Sequence, residues 1–187
     1  MAMPLHRSPI TLDEFVALPE NELARYELQE GALVMAPRPT QSHQDAMFTL
    51  GMQIHPQLPA GLRVVPDVDV VVRAEDPAIV RAPDLVVTSA GRRQKLLSAA
   101  DVVLAVEIIS PGSRNVDLHL KPFEYAEAGI PHYWVVDLDP PAASITVFGL
   151  GAPGDGYAES QRGVTGELVV EAPFRLEIDI AALAEQD

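Results

Sequence analysis

Residues 101–113 read DVVLAVEIISPGS, and from Val102 to Ile109 every residue is apolar except Glu107. A nearly unbroken apolar run of this length, rich in valine and isoleucine, reads as a strand buried on both faces. An ionised carboxylate alone in such a place costs several kcal/mol or more. Glu107 therefore needs compensation. Three readings offer it: a buried arginine partner, a strand end that reaches solvent, or a bound metal ion.

The neighbouring segments place this strand in a sheet. APDLVVTS (82–89) reads as a strand entered through Pro83. GLRVVPDVDVVVR (61–73) reads as an earlier one, with Pro66 confining part of it to an edge or bulge. Downstream, VDLHLKPFEYAEAG (116–129) is helical, with Asp117 as its cap and Gly129 as its stop. HYWVVDL (132–138) and SITVFGL (144–150) are further strands, followed by the glycine-rich turn GLGAPGDGYAE. Strand, helix, strand is a crossover pattern, so part of the sheet is parallel. Upstream, TLDE (11–14) is a capping box opening a short helix. RYELQEGALVMAP (25–37) alternates around Glu30-Gly31 as a hairpin does. Within PTQSHQDAMFTLGMQIHPQL (39–58), Ser42 reads as the N-cap of a helix with Ala46, Met47, Leu50, Ile54 and Leu58 near helical spacing. The fold class is α/β: a central mixed, twisted β-sheet with a helix on each side. The N-terminal hairpin and a C-terminal β segment are additions at its edges.

Composition limits the function. The 187 residues suit one domain spanning 1–187, with a core at about 40–150, an N-terminal helix and hairpin at 11–37, and an extension at 151–187. The absence of cysteine removes disulfides, thiolate zinc sites and cysteine nucleophiles. No apolar run approaches the roughly 20 residues of a membrane span. The N-terminus lacks a secretory apolar core and reads as a cytoplasmic start. The net charge of −14 excludes a protein-wide basic footprint for nucleic acid. Local positive clusters at Arg81, at Arg92, Arg93 and Lys95, and from Arg114 to Lys121 leave room for a focused site.

If the 82–89 and 101–110 strands pair, Asp84 and Glu107 converge. Two carboxylates, a backbone carbonyl and water form the hard-oxygen set that suits Mg²⁺ or Mn²⁺. Each residue also has a plain reading: Asp84 as a turn residue after proline, Lys121 as a solvated helix residue. Glu27 is either a cleft-facing acid or a hairpin cross-strand partner. His43 is either a phosphate or proton-transfer contact or an ordinary helix-start histidine.

Taken in order, RYELQEG, SHQ, APDLVV, VEIISPGS and DLHLKPFEYAEAGIPHYWVVD resemble the signatures of the Uma-two family of restriction endonuclease-like proteins. That family lies within the PD-(D/E)xK nuclease superfamily, and the resemblance runs from about residue 11 to about 150. It implies a restriction endonuclease-like core and hydrolysis of DNA phosphodiester bonds by a magnesium- or manganese-dependent site. Asp84 takes the PD position, Glu107 the (D/E) position, and the Ile108 main-chain carbonyl a third ligand position. The superfamily lysine is replaced by Ile109; the resemblance puts it on the next helix, at Lys121. Glu27 and His43 are further catalytic candidates, and a homodimer is the assembly that would cut both strands. The alternative is an inactive nuclease-fold module that binds nucleic acid or protein.

Overall fold

A computed structural model describes residues 9–19, 25–36, 39–91, 94–110, 112–139 and 141–184. Arg92, Arg93, Pro37, Pro111 and the N-terminal start, all read from sequence above, lie outside the described residues.

The N-terminal unit is helix α1 (Leu12–Val16) and a hairpin of β1 (Arg25–Gln29) and β2 (Ala32–Ala36). The Thr11/Glu14 capping box forms in both directions: Thr11 N–H donates to Glu14 Oε2 at 2.8 Å, and Glu14 N–H to Thr11 Oγ1 at 3.3 Å. The hairpin turns where the sequence placed it, with Gln29 opposite Ala32. Glu30 and Gly31 take φ values of 48° and 77°, the doubly left-handed turn that two-residue hairpins favour. A Cβ on Gly31 would come within 2.8 Å of Pro9 Cβ, so space and φ both select glycine there.

Helix α2 (Gln41–Ile54) is capped by Thr40 rather than Ser42. Thr40 holds extended φ and ψ and its hydroxyl accepts from His43 N–H, while Ser42 is already inside the first turn. The 61–73 segment is also not one strand. It splits into β3 (Arg63–Pro66) and β4 (Val70–Arg73) at Asp67, whose φ is 55°. The remaining strands are β5 (Ile79–Arg81), β6 (Leu85–Thr88), β7 (Leu97–Ser98), β8 (Val102–Ile108), β9 (His132–Asp137), β10 (Ser144–Leu150), β11 (Tyr157–Val164), β12 (Glu167–Val170) and β13 (Leu176–Asp179).

One sheet runs β2-β1-β5-β4-β7 and a larger one β11-β10-β9-β8-β6-β3; β12 and β13 form a separate ribbon. Strand β3, ending at Pro66, is an edge strand, where a missing N–H is tolerated. The pair β8/β9 is parallel, as the crossover requires, while β6/β8 is antiparallel. Alternation along β8 divides the core. Leu104, Val106 and Ile108 pack with Leu50 and Ile54 of α2 and with Leu168, Leu176 and Ile178 of the C-terminal ribbon. Ala105 and Ile109 lie on the other face with Tyr125, Ile130 and Tyr133. Full burial of a side chain such as Leu104 contributes about 2 kcal/mol relative to exposure. Glu107 shares the parity of Ala105 and Ile109, so it points toward the crossover helix.

That crossover contains a π-turn, Val116–Leu120, running into α3 (Lys121–Glu127). Lys121 N–H bonds Val116 O, five residues back. The wider turn admits Pro122 immediately after Lys121, where a regular helix would require the N–H that proline lacks. Gly129, at φ 78°, ends the helix as expected.

Candidate active site

In the β6/β8 ladder, Leu85 lies opposite Val106 and Val86 opposite Ala105. One step further along the same register, Asp84 falls opposite Glu107. Residues directly opposite across an antiparallel pair point to the same side of the sheet, with Cβ atoms about 5 Å apart. Asp84 Oδ2 accepts from the Ile108 N–H at 2.7 Å, which locks it against β8. Its other oxygen, Oδ1, lies 2.9 Å from His43 Nε2, presented by the first turn of α2.

Glu107 is only 2% exposed. Its Oε2 lies 2.8 Å from Lys121 Nζ and its Oε1 accepts from the Tyr125 hydroxyl at 2.7 Å. The partner of the buried glutamate is thus a lysine one helix later, not an arginine. Lys121 Nζ also lies 3.0 Å from Asp117 Oδ1 and 3.9 Å from Glu27 Oε1. Asp117 is not a helix cap. It sits inside the π-turn, 1% exposed, and its Oδ1 has the lysine charge but no aligned hydrogen bond. Ser110 does not turn to the carboxylates; its hydroxyl donates to Ser113 Oγ.

Behind this group lies a second one. Arg81 donates through Nε and Nη2 to both oxygens of Glu124, at 2.6 and 2.8 Å, and through Nη1 to Glu27 Oε2 at 2.9 Å. Glu27 Oε1 accepts from Ala82 N–H at 3.2 Å.

The two groups titrate in opposite senses. Burial raises Glu107, and the charges of Asp84, Asp117 and Glu27 add to that against Lys121; its pKa is pushed up to about 8. Burial would also raise Glu27, but Lys121, Arg81 and the hydrogen bonds from Arg81 and Ala82 outweigh it and hold it below the usual carboxylate value. Burial opposes the charge on Lys121, yet Glu107, Glu27 and Asp117 keep it protonated well above the ordinary lysine range.

Glu27, His43, Asp84, Glu107, Asp117 and Lys121 line an open cleft of about 1090 Å³, together with apolar residues such as Phe15, Leu18, Met47 and Leu96. Among the described residues no three acidic or histidine side chains converge closely enough to hold an ion by themselves. The arrangement still fits a hard divalent cation in the manner of magnesium, which takes one or two carboxylates and keeps several waters. Each oxygen of Asp84 and Glu107 has one partner within the protein, leaving a lone pair for a ligand. Five acidic side chains (Glu27, Asp84, Glu107, Asp117, Glu124) meet two fixed cations, Arg81 and Lys121, so acidic groups outnumber basic ones across the two groups.

Residues 12–182 match the family model Uma2, described as "Putative restriction endonuclease". The chain belongs to the Uma2 family. No curated protein matches it. Among solved structures it is similar to a "putative nuclease belonging to DUF820" from Anabaena variabilis ATCC 29413, at 21% identity and a TM-score of 0.69. That match covers 94% of this chain and 97% of the other. It shows the fold: a restriction endonuclease-like core of mixed sheets flanked by helices, with the N-terminal hairpin and C-terminal strands added.

For this Uma2 chain, sequence reading missed the roles of Arg81, Glu124, Tyr125 and Asp117. Arg81 carried a usable signal, because AIVRAPD places a charge in an apolar strand just as DVVLAVEIIS does. Tyr125 packs in the core, edge-to-face on Tyr133 with centroids 5.5 Å apart, and its hydroxyl also serves Glu107.

Proposed function

We propose that the chain is a metal-dependent endonuclease that hydrolyses DNA phosphodiester bonds in this cleft. The observation that supports it most is the juxtaposition of Asp84 and Glu107 across β6/β8 with the Lys121 ammonium 2.8 Å from Glu107. Asp84, Glu107 and the Ile108 carbonyl are the groups assigned to hold Mg²⁺ or Mn²⁺. When bound, such an ion supplies Lewis-acid polarisation of the phosphate and a more acidic water.

The protein's own groups have separable tasks. Asp84, fixed by Ile108 N–H and His43, offers its remaining lone pairs without rotating. Glu107 is held at both oxygens by Tyr125 and Lys121. Lys121 keeps its proton and places a point charge where negative charge grows on the phosphate. Its anchorage to Asp117 and Glu107 means that this charge needs no reorganisation during the reaction. Glu27, bound by Arg81 and the Ala82 N–H, acts on Lys121, whose Nζ lies 3.9 Å from its Oε1. His43 restrains Asp84 and is the group nearest to it able to exchange a proton. Cutting both strands would take two such clefts, and a homodimer belongs to the same proposal.

The test is plasmid nicking by purified protein with Mg²⁺ or Mn²⁺, with and without EDTA, for wild type and the Asp84→Ala, Glu107→Ala and Lys121→Ala variants. Metal-dependent nicking should vanish in the first two. In the third it should fall far more than metal affinity does. DNA binding without cleavage in every form would leave the inactive-module reading in its place.

A further inference from the structure

Arg81 holds together three segments, and each carries a candidate site residue. It ends β5, three residues before Asp84. Its fork closes on Glu124, which lies three residues past Lys121 and so on the same side of α3. Its third donor takes Glu27 from the N-terminal hairpin, and Glu27 faces Lys121 at 3.9 Å. The guanidinium is 1% exposed and Glu124 5%, so both charges are committed to this contact and unavailable to substrate. The helix it grips cannot fix Lys121 unaided. It is a seven-residue helix entered through a π-turn, with Pro122 directly beside the lysine.

We infer that Arg81 is a positioning residue: through its fork on Glu124 and its bond to Glu27 it sets α3 against the Asp84 segment and holds Lys121 Nζ on Glu107. The geometry accounts for the choice of side chain. Only arginine offers two parallel donors to one carboxylate and a third in another direction; a lysine head cannot brace a helix in this way. Without the brace, Glu27 loses its nearer cation and draws Lys121 across the short gap, away from Glu107.

The consequence for catalysis rests on the function proposed above, but the positioning does not, and one experiment separates them. The chain has two lysines, Lys95 and Lys121, so protein labelled with ¹³C and ¹⁵N at lysine gives two side-chain signals. In the wild type, the Lys121 ammonium should be resolved, slow to exchange and distinct from Lys95. The Arg81→Met/Glu124→Met double variant replaces the Arg81–Glu124 pair with apolar volume and leaves Glu27 with Lys121 as its remaining cation. In it, the Lys121 signal should move and exchange at least tenfold faster. Metal-dependent cleavage should lose kcat by about a hundredfold, with KM and half-saturating metal within threefold. Glu124→Gln keeps the shape and one arm of the fork; it should fall between the two and serves if the double variant does not fold. A folded variant of either kind with a wild-type Lys121 signal overturns the inference. Altered lysine signals in a protein that cleaves nothing, wild type included, uphold the positioning and reject only the nuclease reading.

Discussion

Two buried charge clusters lie one helical turn apart on α3, and they are built to different ends. Around Arg81, one cation meets Glu27 and Glu124, with every arm of the guanidinium engaged and both partners buried. Around Glu107, one ammonium serves Glu107, Asp117 and, at a longer distance, Glu27, with Asp84 opposite across the sheet. The first cluster is geometrically closed, and together with Lys121 it holds Glu27 below the usual carboxylate value. The second is short of positive charge and lifts Glu107 toward about 8. A fold has no structural use for that shortage, because burying a carboxylate without full compensation costs stability. Perturbation of this kind in a cleft is what the proposed active site requires of Glu107.

If this contrast holds, the largest effect comes from neutralising Glu107 without changing its shape. Glu107→Gln should cut metal-dependent nicking by about a thousandfold or more, the scale of losing a principal electrostatic contact. In the absence of metal the same variant should melt at a higher temperature than wild type at pH 9, because it removes the charge that the site disfavours. Activity lost together with stability at pH 9 would mean that Glu107 is an ordinary paired carboxylate.

Arg81→Ala should move stability in the opposite direction. Removing one partner of a buried ion pair leaves the others uncompensated, a loss of about 3–5 kcal/mol. Denaturant unfolding measures it directly. A loss under about 1 kcal/mol would show that the Arg81 cluster is not the closed clamp described here.

The sequence made one of these clusters visible and left the other in shadow, for a physical reason. Glu107 stands out because period and burial can be read along a single strand. Its strand, the pairing with the Asp84 strand, the parallel crossover and the hairpin at Glu30-Gly31 all follow from local pattern. The division of 61–73 between two sheets does not, because it turns on Asp67 taking a left-handed conformation that its sequence does not demand. Thr40 displaced Ser42 as cap by two residues, a competition between two good hydroxyl caps that local pattern does not resolve. The Arg81 clamp joins residues 54 and 43 positions apart, Glu27 and Glu124, and no spacing rule connects them. The π-turn at 116–120 interrupts what pattern alone reads as one helix over 116–129, and Pro122 is the residue in the sequence that goes with it.

The pH dependence of the metal-free protein should separate the two clusters again. Glu107 titrates near 4.5 when unfolded and near 8 when folded, so between those values the native chain holds a proton that the unfolded chain has released. Stability therefore falls as pH rises through that window and levels off above it. Glu27 is shifted down, so its contribution is present above pH 4.5 and is lost as pH drops below it. Thermal melts from pH 4 to 10 should show both limbs, and Glu107→Gln should erase only the alkaline one. Saturating Mn²⁺ should flatten that limb as well, since it displaces the proton. At a hundred times its dissociation constant, it should add about 2.7 kcal/mol. An alkaline limb unchanged by both treatments would assign it to some other group.

Tyr125→Phe probes the same cluster with the smallest change. The ring stays against Tyr133 and the only atom lost is the hydroxyl, which donates to Glu107 Oε1 at 2.7 Å in a fully buried position. The expected loss is about 1–2 kcal/mol. Its dependence on pH is the sharper readout. A phenol donates more strongly to a carboxylate than to a neutral carboxyl, so the loss should be larger at pH 9 than at pH 5. For the same reason, the alkaline limb should move to higher pH. Equal losses at the two pH values would mean that Glu107 keeps one charge state throughout. The surplus that distinguishes its cluster from that of Arg81 would then be absent.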